Sequence, residues 1–246
     1  MFAVYSFCRA VDDVVDSGRP VEQAQQELDR WRQEITRCYE GWPAHPVTQA
    51  LAPVVQRYQI PQGLFNDILT GMTWDLTPRR YATFAELEQY CYYVAGAVGL
   101  VAVRVFGCRR PESDAFARAL GTAFQLTNIL RDLAEDAVQG RVYLPQEDLA
   151  RFGVTEAQIR RRDYDDRFAA LMAHEADRAR GYVSQARAAI TRADRRALTP
   201  ALAMAAVYER LLDRLEAVQY DVFSHPVRLS TTQKFLLAIQ GALRRG

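Results

Sequence analysis

The stretch Gln125-Leu-Thr-Asn128-Ile-Leu-Arg131-Asp132-Leu-Ala-Glu-Asp136 decides the fold. No Gly or Pro interrupts it, and Leu126, Ile129, Leu130 and Leu133 recur at helical spacing, so it predicts a helix with a buried face. Residues three and four apart share a helix face, which places Gln125, Asn128, Asp132 and Asp136 on one polar stripe. Such a stripe beside an apolar face is costly to bury without partners. Two carboxylates one turn apart, with amide oxygens next to them, suit a hard divalent cation such as Mg²⁺. The competing reading is a solvated helix face with ordinary charges.

A second copy of the pattern lies near the start of the chain. Ser6-Phe-Cys-Arg9-Ala-Val-Asp12-Asp13-Val-Val-Asp16 again spaces two aspartates by four, with Arg9 upstream. Two such helices can face each other across a cavity and hold Mg²⁺ between them, with a diphosphate supplying the remaining oxygen ligands. A single D-x-x-x-D says little; two, each on an apolar helix with an arginine close by, say much more.

Three pieces of the chain carry a resemblance: CRAVDDVVD (8–16), YCYYVAGAVG (90–99) and QLTNILRDLAEDAVQGRVYLPQEDL (125–149). The chain resembles the squalene/phytoene synthase family, the head-to-head trans-isoprenyl diphosphate synthases, over nearly its whole length. The resemblance implies an isoprenoid-synthase-type helical bundle around a central cavity. It implies condensation of two prenyl diphosphates through a cyclopropyl diphosphate, with Mg²⁺ on Asp12, Asp16, Asn128, Asp132 and Asp136. Arg9, Arg131 and Arg141 would take up charge on the leaving diphosphate, with Gln125, Asn128 and Tyr143 beside it. Val94, Ala95 and Val98 would line the prenyl chain. Tyr90, aided by the released diphosphate, is the implied base. The family also implies a further helix before Met1, and the apolar start of this chain, without an N-cap, fits that expectation. Within the family, the segments 97–106 and 220–230 are most similar to bacterial presqualene diphosphate synthases of hopanoid pathways, so two farnesyl diphosphates are the expected substrates. Tyr90–Gly96 is also close to phytoene synthases, which use two geranylgeranyl diphosphates, and that is the alternative. A non-catalytic relative acting as an assembly or binding protein is a further one, disfavoured because all four motif aspartates are present.

Composition bounds the rest. The chain has 246 residues, is 49% hydrophobic and carries a formal net charge of +1, so no strong field argues for nucleic acid. Lys234 is the only lysine among the basic residues. Cys8, Cys38, Cys91 and Cys108 lack metal-ligand spacing and read as thiols in a reducing compartment. His45, His174 and His225 form no cluster. No signal peptide or membrane-length apolar run is visible, which predicts a cytoplasmic protein. A last helix over 230–245, carrying Phe235, Leu237 and Arg244-Arg245, fits either peripheral contact at the inner membrane face or the surface of a soluble domain.

The fold expected from the pattern is all-α and a single domain over 1–246. Helices are predicted over about 21–39, 46–58, 62–75, 83–106, 111–136, 164–191 and 200–220, with Gly140-Arg141-Val-Tyr143-Leu-Pro145 as a turn. Thr83 with Glu86 forms a capping box. Gly96 and Gly99 each cost about 1 kcal/mol relative to Ala inside a helix, which signals close approach by a neighbouring helix or by a prenyl chain. Tyr208 reads as packing rather than chemistry.

Overall fold

The polar-striped helix is the axis of the molecule. In the computed structural model, whose described residues are 1–230, it runs from Pro111 to Val138. Pro111 begins it, where a missing N–H costs nothing. Gly140, in the left-handed region at φ 76°, ends it. Ten other α-helices among the described residues surround it, and no strand is present there. In chain order they are α1 (Phe2–Asp16), α2 (Val21–Glu40), α3 (Pro46–Tyr58), α4 (Gln62–Asp75), α5 (Phe84–Cys91), α6 (Ala97–Val105), α7 (Pro111–Val138), α8 (Gln146–Phe152), α9 (Glu156–Arg161), α10 (Asp166–Ala188) and α11 (Thr199–Ala217).

The sequence pattern and the structure differ in three places among the described residues. The expected helix 83–106 is three pieces: α5, a π-helical turn at Tyr92–Gly96, and α6. Ala97 N–H donates to the Tyr92 carbonyl, five residues back, which marks the wider turn. The segment after Pro145 contains α8, a helix of one to two turns too short to show a period. The helix expected to reach 220 ends at Ala217 because Gln219 and Tyr220 take positive φ, 52° and 61°. The last helix expected over 230–245 lies outside the described residues.

Helix α1 packs on α2, α3 and α4, while α7 packs on the π-turn, α6, α10 and α11. Helix α4 and the π-turn, which pack on each other, connect the two groups. One core gathers Phe7, Leu28, Ile35, Phe65 and Leu69 from the first four helices. Another gathers Leu126, Leu130, Phe168, Leu171 and Leu212 from α7, α10 and α11. Val94, in the π-turn, packs against both.

Two glycines make this crossing possible. A Cβ on Gly71 of α4 would fall 2.8 Å from Val94 Cγ1, and one on Gly121 of α7 would fall 2.8 Å from the Gly96 backbone. The glycines singled out in the sequence are likewise used for contact within the protein. Gly99 meets the Ala117 carbonyl and Gly96 meets the Tyr92 ring.

Candidate active site

The two aspartate pairs sit on different helix groups. Asp12 and Asp16 lie on the solvent-facing side of α1, whose other side buries Val4, Phe7, Val11 and Val14. Asp132 and Asp136 lie on the polar stripe of α7, behind which Ile129, Leu130 and Leu133 are buried. The period-3.6 pattern thus builds both: the apolar face fixes the helix, and the carboxylates take what remains.

A residue the sequence reading passed over joins them. Asp75, the last residue of α4, is placed where the α1 and α7 charges both reach it. Burial first, then the Asp12 charge, pushes its carboxyl up to about 6, against the pull of Tyr90, Arg141 and Tyr143. Asp136 is also raised to about 6, first by burial, then by the charges of Asp132 and, more weakly, Asp75. Asp12 is raised in the same direction by partial burial and by Asp16, although its residue surface is largely exposed. In all three, burial is the larger cause and the charge of a neighbouring carboxylate adds to it, against an opposing arginine.

Around Asp75 the aromatic residues converge. The Tyr90 hydroxyl donates to Asp75 Oδ1 at 2.8 Å, and the Tyr143 hydroxyl reaches the same oxygen at 3.4 Å. Tyr90 stacks on Tyr143 with ring centroids 5.3 Å apart, and Tyr81 lies against both. Burial, followed by the Asp75 charge, pushes the Tyr90 phenol well above its ordinary range. Arg141 Nη2 donates to the Asp75 carbonyl at 3.2 Å. The Arg141 position follows from the end of α7, because its N–H closes back on the Asp136 carbonyl at 2.9 Å across Gly140.

The remaining expected residues fall as follows. Arg131 grips its neighbour Asp132, with Nε–Oδ1 at 2.7 Å and a second contact from Nη2 to Oδ2. Arg9 is turned to Asp13 at 2.7 Å rather than to the Asp12–Asp16 stripe. Val94, Ala95 and Val98 are half-buried, as is Gln125. Asn128 Oδ1 is buried and has no hydrogen-bond partner among the described residues. Tyr208 stacks on Phe124 with centroids 4.0 Å apart, consistent with packing. Beside the stripe a groove of about 390 Å³ is lined by Arg131, Asp132, Glu135, Leu211, Arg228 and Leu229. Arg228, not singled out in the sequence, pairs there with Glu135 at 2.7 Å.

The donors fit a hard divalent cation. They are carboxylates and one amide oxygen, the Asp12 and Asp136 carboxyls are raised, and Asn128 Oδ1 is orphaned. Among the described residues, no three His, Cys, Asp or Glu side chains are close enough to enclose one ion.

Comparison with known proteins identifies the family. A family model described as squalene/phytoene synthase matches residues 1–233. The chain is 38% identical over 243 residues to phytoene synthase 2, chloroplastic, of Solanum lycopersicum, covering 96% of this chain and 78% of that one. It is 37% identical to the 15-cis-phytoene synthase of Synechococcus elongatus, covering 95% and 80%. Among solved structures, a dehydrosqualene synthase in complex with ligand superposes with a TM-score of 0.84 at 33% identity, covering 98% and 84%. A squalene synthase from Alicyclobacillus acidocaldarius gives 0.80 at 29%, covering 89% and 82%. The chain belongs to the squalene/phytoene synthase family and has the isoprenoid synthase fold.

Proposed function

We propose that this member of the squalene/phytoene synthase family couples two geranylgeranyl diphosphates head-to-head, as a phytoene synthase. The observation that carries the reading is the run of relatives named phytoene synthase, 35–38% identical over almost the whole chain. The solved dehydrosqualene and squalene synthases are 33% and 29% identical, so the relatives favour the C20 substrate over the C15 substrate expected from segments 97–106 and 220–230.

Asp12, Asp16, Asp132, Asp136 and Asn128 would hold Mg²⁺, which when bound supplies Lewis acidity to the departing diphosphate. The chain's own residues do the rest. Arg131 and Arg141 offer guanidinium forks, which match phosphate oxygens. Val94, Ala95 and Val98 present an apolar wall that keeps water from an allylic cation. Tyr90 is the proposed proton acceptor for closing the cyclopropane.

Incubation of the purified chain with Mg²⁺ and either labelled diphosphate tests the assignment. A C40 hydrocarbon from geranylgeranyl diphosphate is expected. A C30 diphosphate from farnesyl diphosphate, unchanged by NADPH, would instead establish the presqualene diphosphate reading.

A further inference from the structure

We propose that Asp75 is a positioning residue that takes up, through Tyr90, the proton lost when the prenyl chains couple, and hands it to solvent on the far side of the α4 end. The inference rests on the reaction proposed above and adds a route for the proton.

Three observations converge on it. First, Asp75 Oδ1 accepts the Tyr90 hydroxyl at 2.8 Å, so the phenol proton already points at a carboxylate. Second, the two hydrogen bonds this carboxylate accepts from described residues both fall on Oδ1, which leaves Oδ2 available. Third, Asp75 lines a small recess of about 10 Å³, room for about one water. The exposed Thr77, Pro78 and Arg79 line it together with the half-buried Arg141 and Tyr143. Tyr90 is itself buried and has no comparable opening to solvent.

The route also resolves a difficulty with Tyr90 acting alone. A buried phenol beside a carboxylate resists ionising, so a free phenolate is a poor starting base. In the concerted step no phenolate is needed. The substrate C–H bond breaks, and its electron pair closes the new carbon–carbon bond. Its proton joins the Tyr90 oxygen as the Tyr90 hydroxyl proton crosses to Asp75 Oδ1. Asp75 then releases that proton to water in the recess. A carboxyl raised to about 6 is suited to this, ionised near neutral pH yet a competent proton carrier.

The test compares the full chain with Asp75→Asn, Asp75→Glu, Tyr90→Phe and the double variant Asp75→Asn/Tyr90→Phe, with Mg²⁺ and both prenyl diphosphates. Asp75→Asn should lower kcat about 100-fold with KM little changed. Asp75→Glu should recover much of the loss. The double variant should be no slower than Tyr90→Phe, because the two act in one relay. Full kcat in Asp75→Asn, or losses that multiply in the double variant, would overturn the proposal. A carbon-13 titration of the Asp75 carboxyl reads the link without turnover. Its midpoint should rise in Tyr90→Phe, since the lost hydrogen bond favoured the ionised form, and an unmoved midpoint would also overturn the proposal. If the unmodified chain couples neither diphosphate, the assigned reaction fails, and the titration alone decides the Asp75–Tyr90 link.

Discussion

A Cβ on Gly121 would lie 2.8 Å from both the nitrogen and the Cα of Gly96, so α7 and the π-turn touch backbone to backbone. Neither side of that contact is the end of a flexible side chain, and neither can yield cheaply. Gly121→Ala should therefore destabilise the protein by about 1–3 kcal/mol, the usual cost of overpacking a closed interior. Thermal unfolding should show a drop of several degrees; an unchanged midpoint would mean the helices can move apart freely.

Asp12→Asn and Asp132→Asn should each lower turnover by about 100-fold or more, because a metal ligand contributes several kcal/mol to the transition state. Neither substitution should lower the unfolding midpoint, since neither side chain fills a core. EDTA should abolish activity, and Mg²⁺ should restore it. Near-normal turnover of either variant at low Mg²⁺ would remove these residues from the metal site.

Asp136 should destabilise the metal-free protein at neutral pH. Its folded carboxyl titrates near 6 and its ordinary value is near 4, so between those values the folded state binds more protons than the unfolded state. This group's contribution to stability therefore falls as pH rises from about 4 through 6. Asp136→Asn should be more stable than the unmodified chain at pH 7 without Mg²⁺, with the gain vanishing towards pH 4. Denaturant titrations at the two pH values check it; a gain independent of pH would point to packing instead.

Glu34 offers a prediction far from the chemistry. Its Oε1 accepts the Ala44 and His45 N–H groups and the Thr48 hydroxyl, each at 2.7 Å. It thereby holds the turn that starts α3. Glu34→Ala strands the two backbone N–H groups, while the Thr48 hydroxyl keeps the His45 carbonyl at 2.8 Å; it should cost about 2–4 kcal/mol, while kcat of the folded fraction stays unchanged. A stability loss under about 0.5 kcal/mol, the range of ordinary surface changes, would show that water replaces the carboxylate.

Much of this was legible in the residues. The four-residue spacing of Asp12–Asp16 and Asp132–Asp136 gave both carboxylate helices, and Pro111 and Gly140 marked the ends of α7. The π-turn was not legible, because Tyr92–Gly96 has helical composition throughout and the neighbours it lies against, Gly71 and Gly121, are distant in sequence. Asp75 was missed for a similar reason: its role comes from Tyr90, Tyr143 and Arg141, which are distant in sequence. One local signal did exist. A carboxylate closing a helix sits at the negative end of its dipole, an unfavourable place that asks for a reason.

Val94 belongs to two cores at once. The same side chain is proposed to face the prenyl chain, so the proposed substrate wall is also the mortar between the two halves of the bundle. Changing its bulk to admit a longer or shorter chain also loosens or crowds the joint on which cooperative unfolding depends. Drift between C15 and C20 specificity in such a scaffold is thus constrained at this position by foldability, and compensating changes are expected first at Gly71, the residue Val94 presses against.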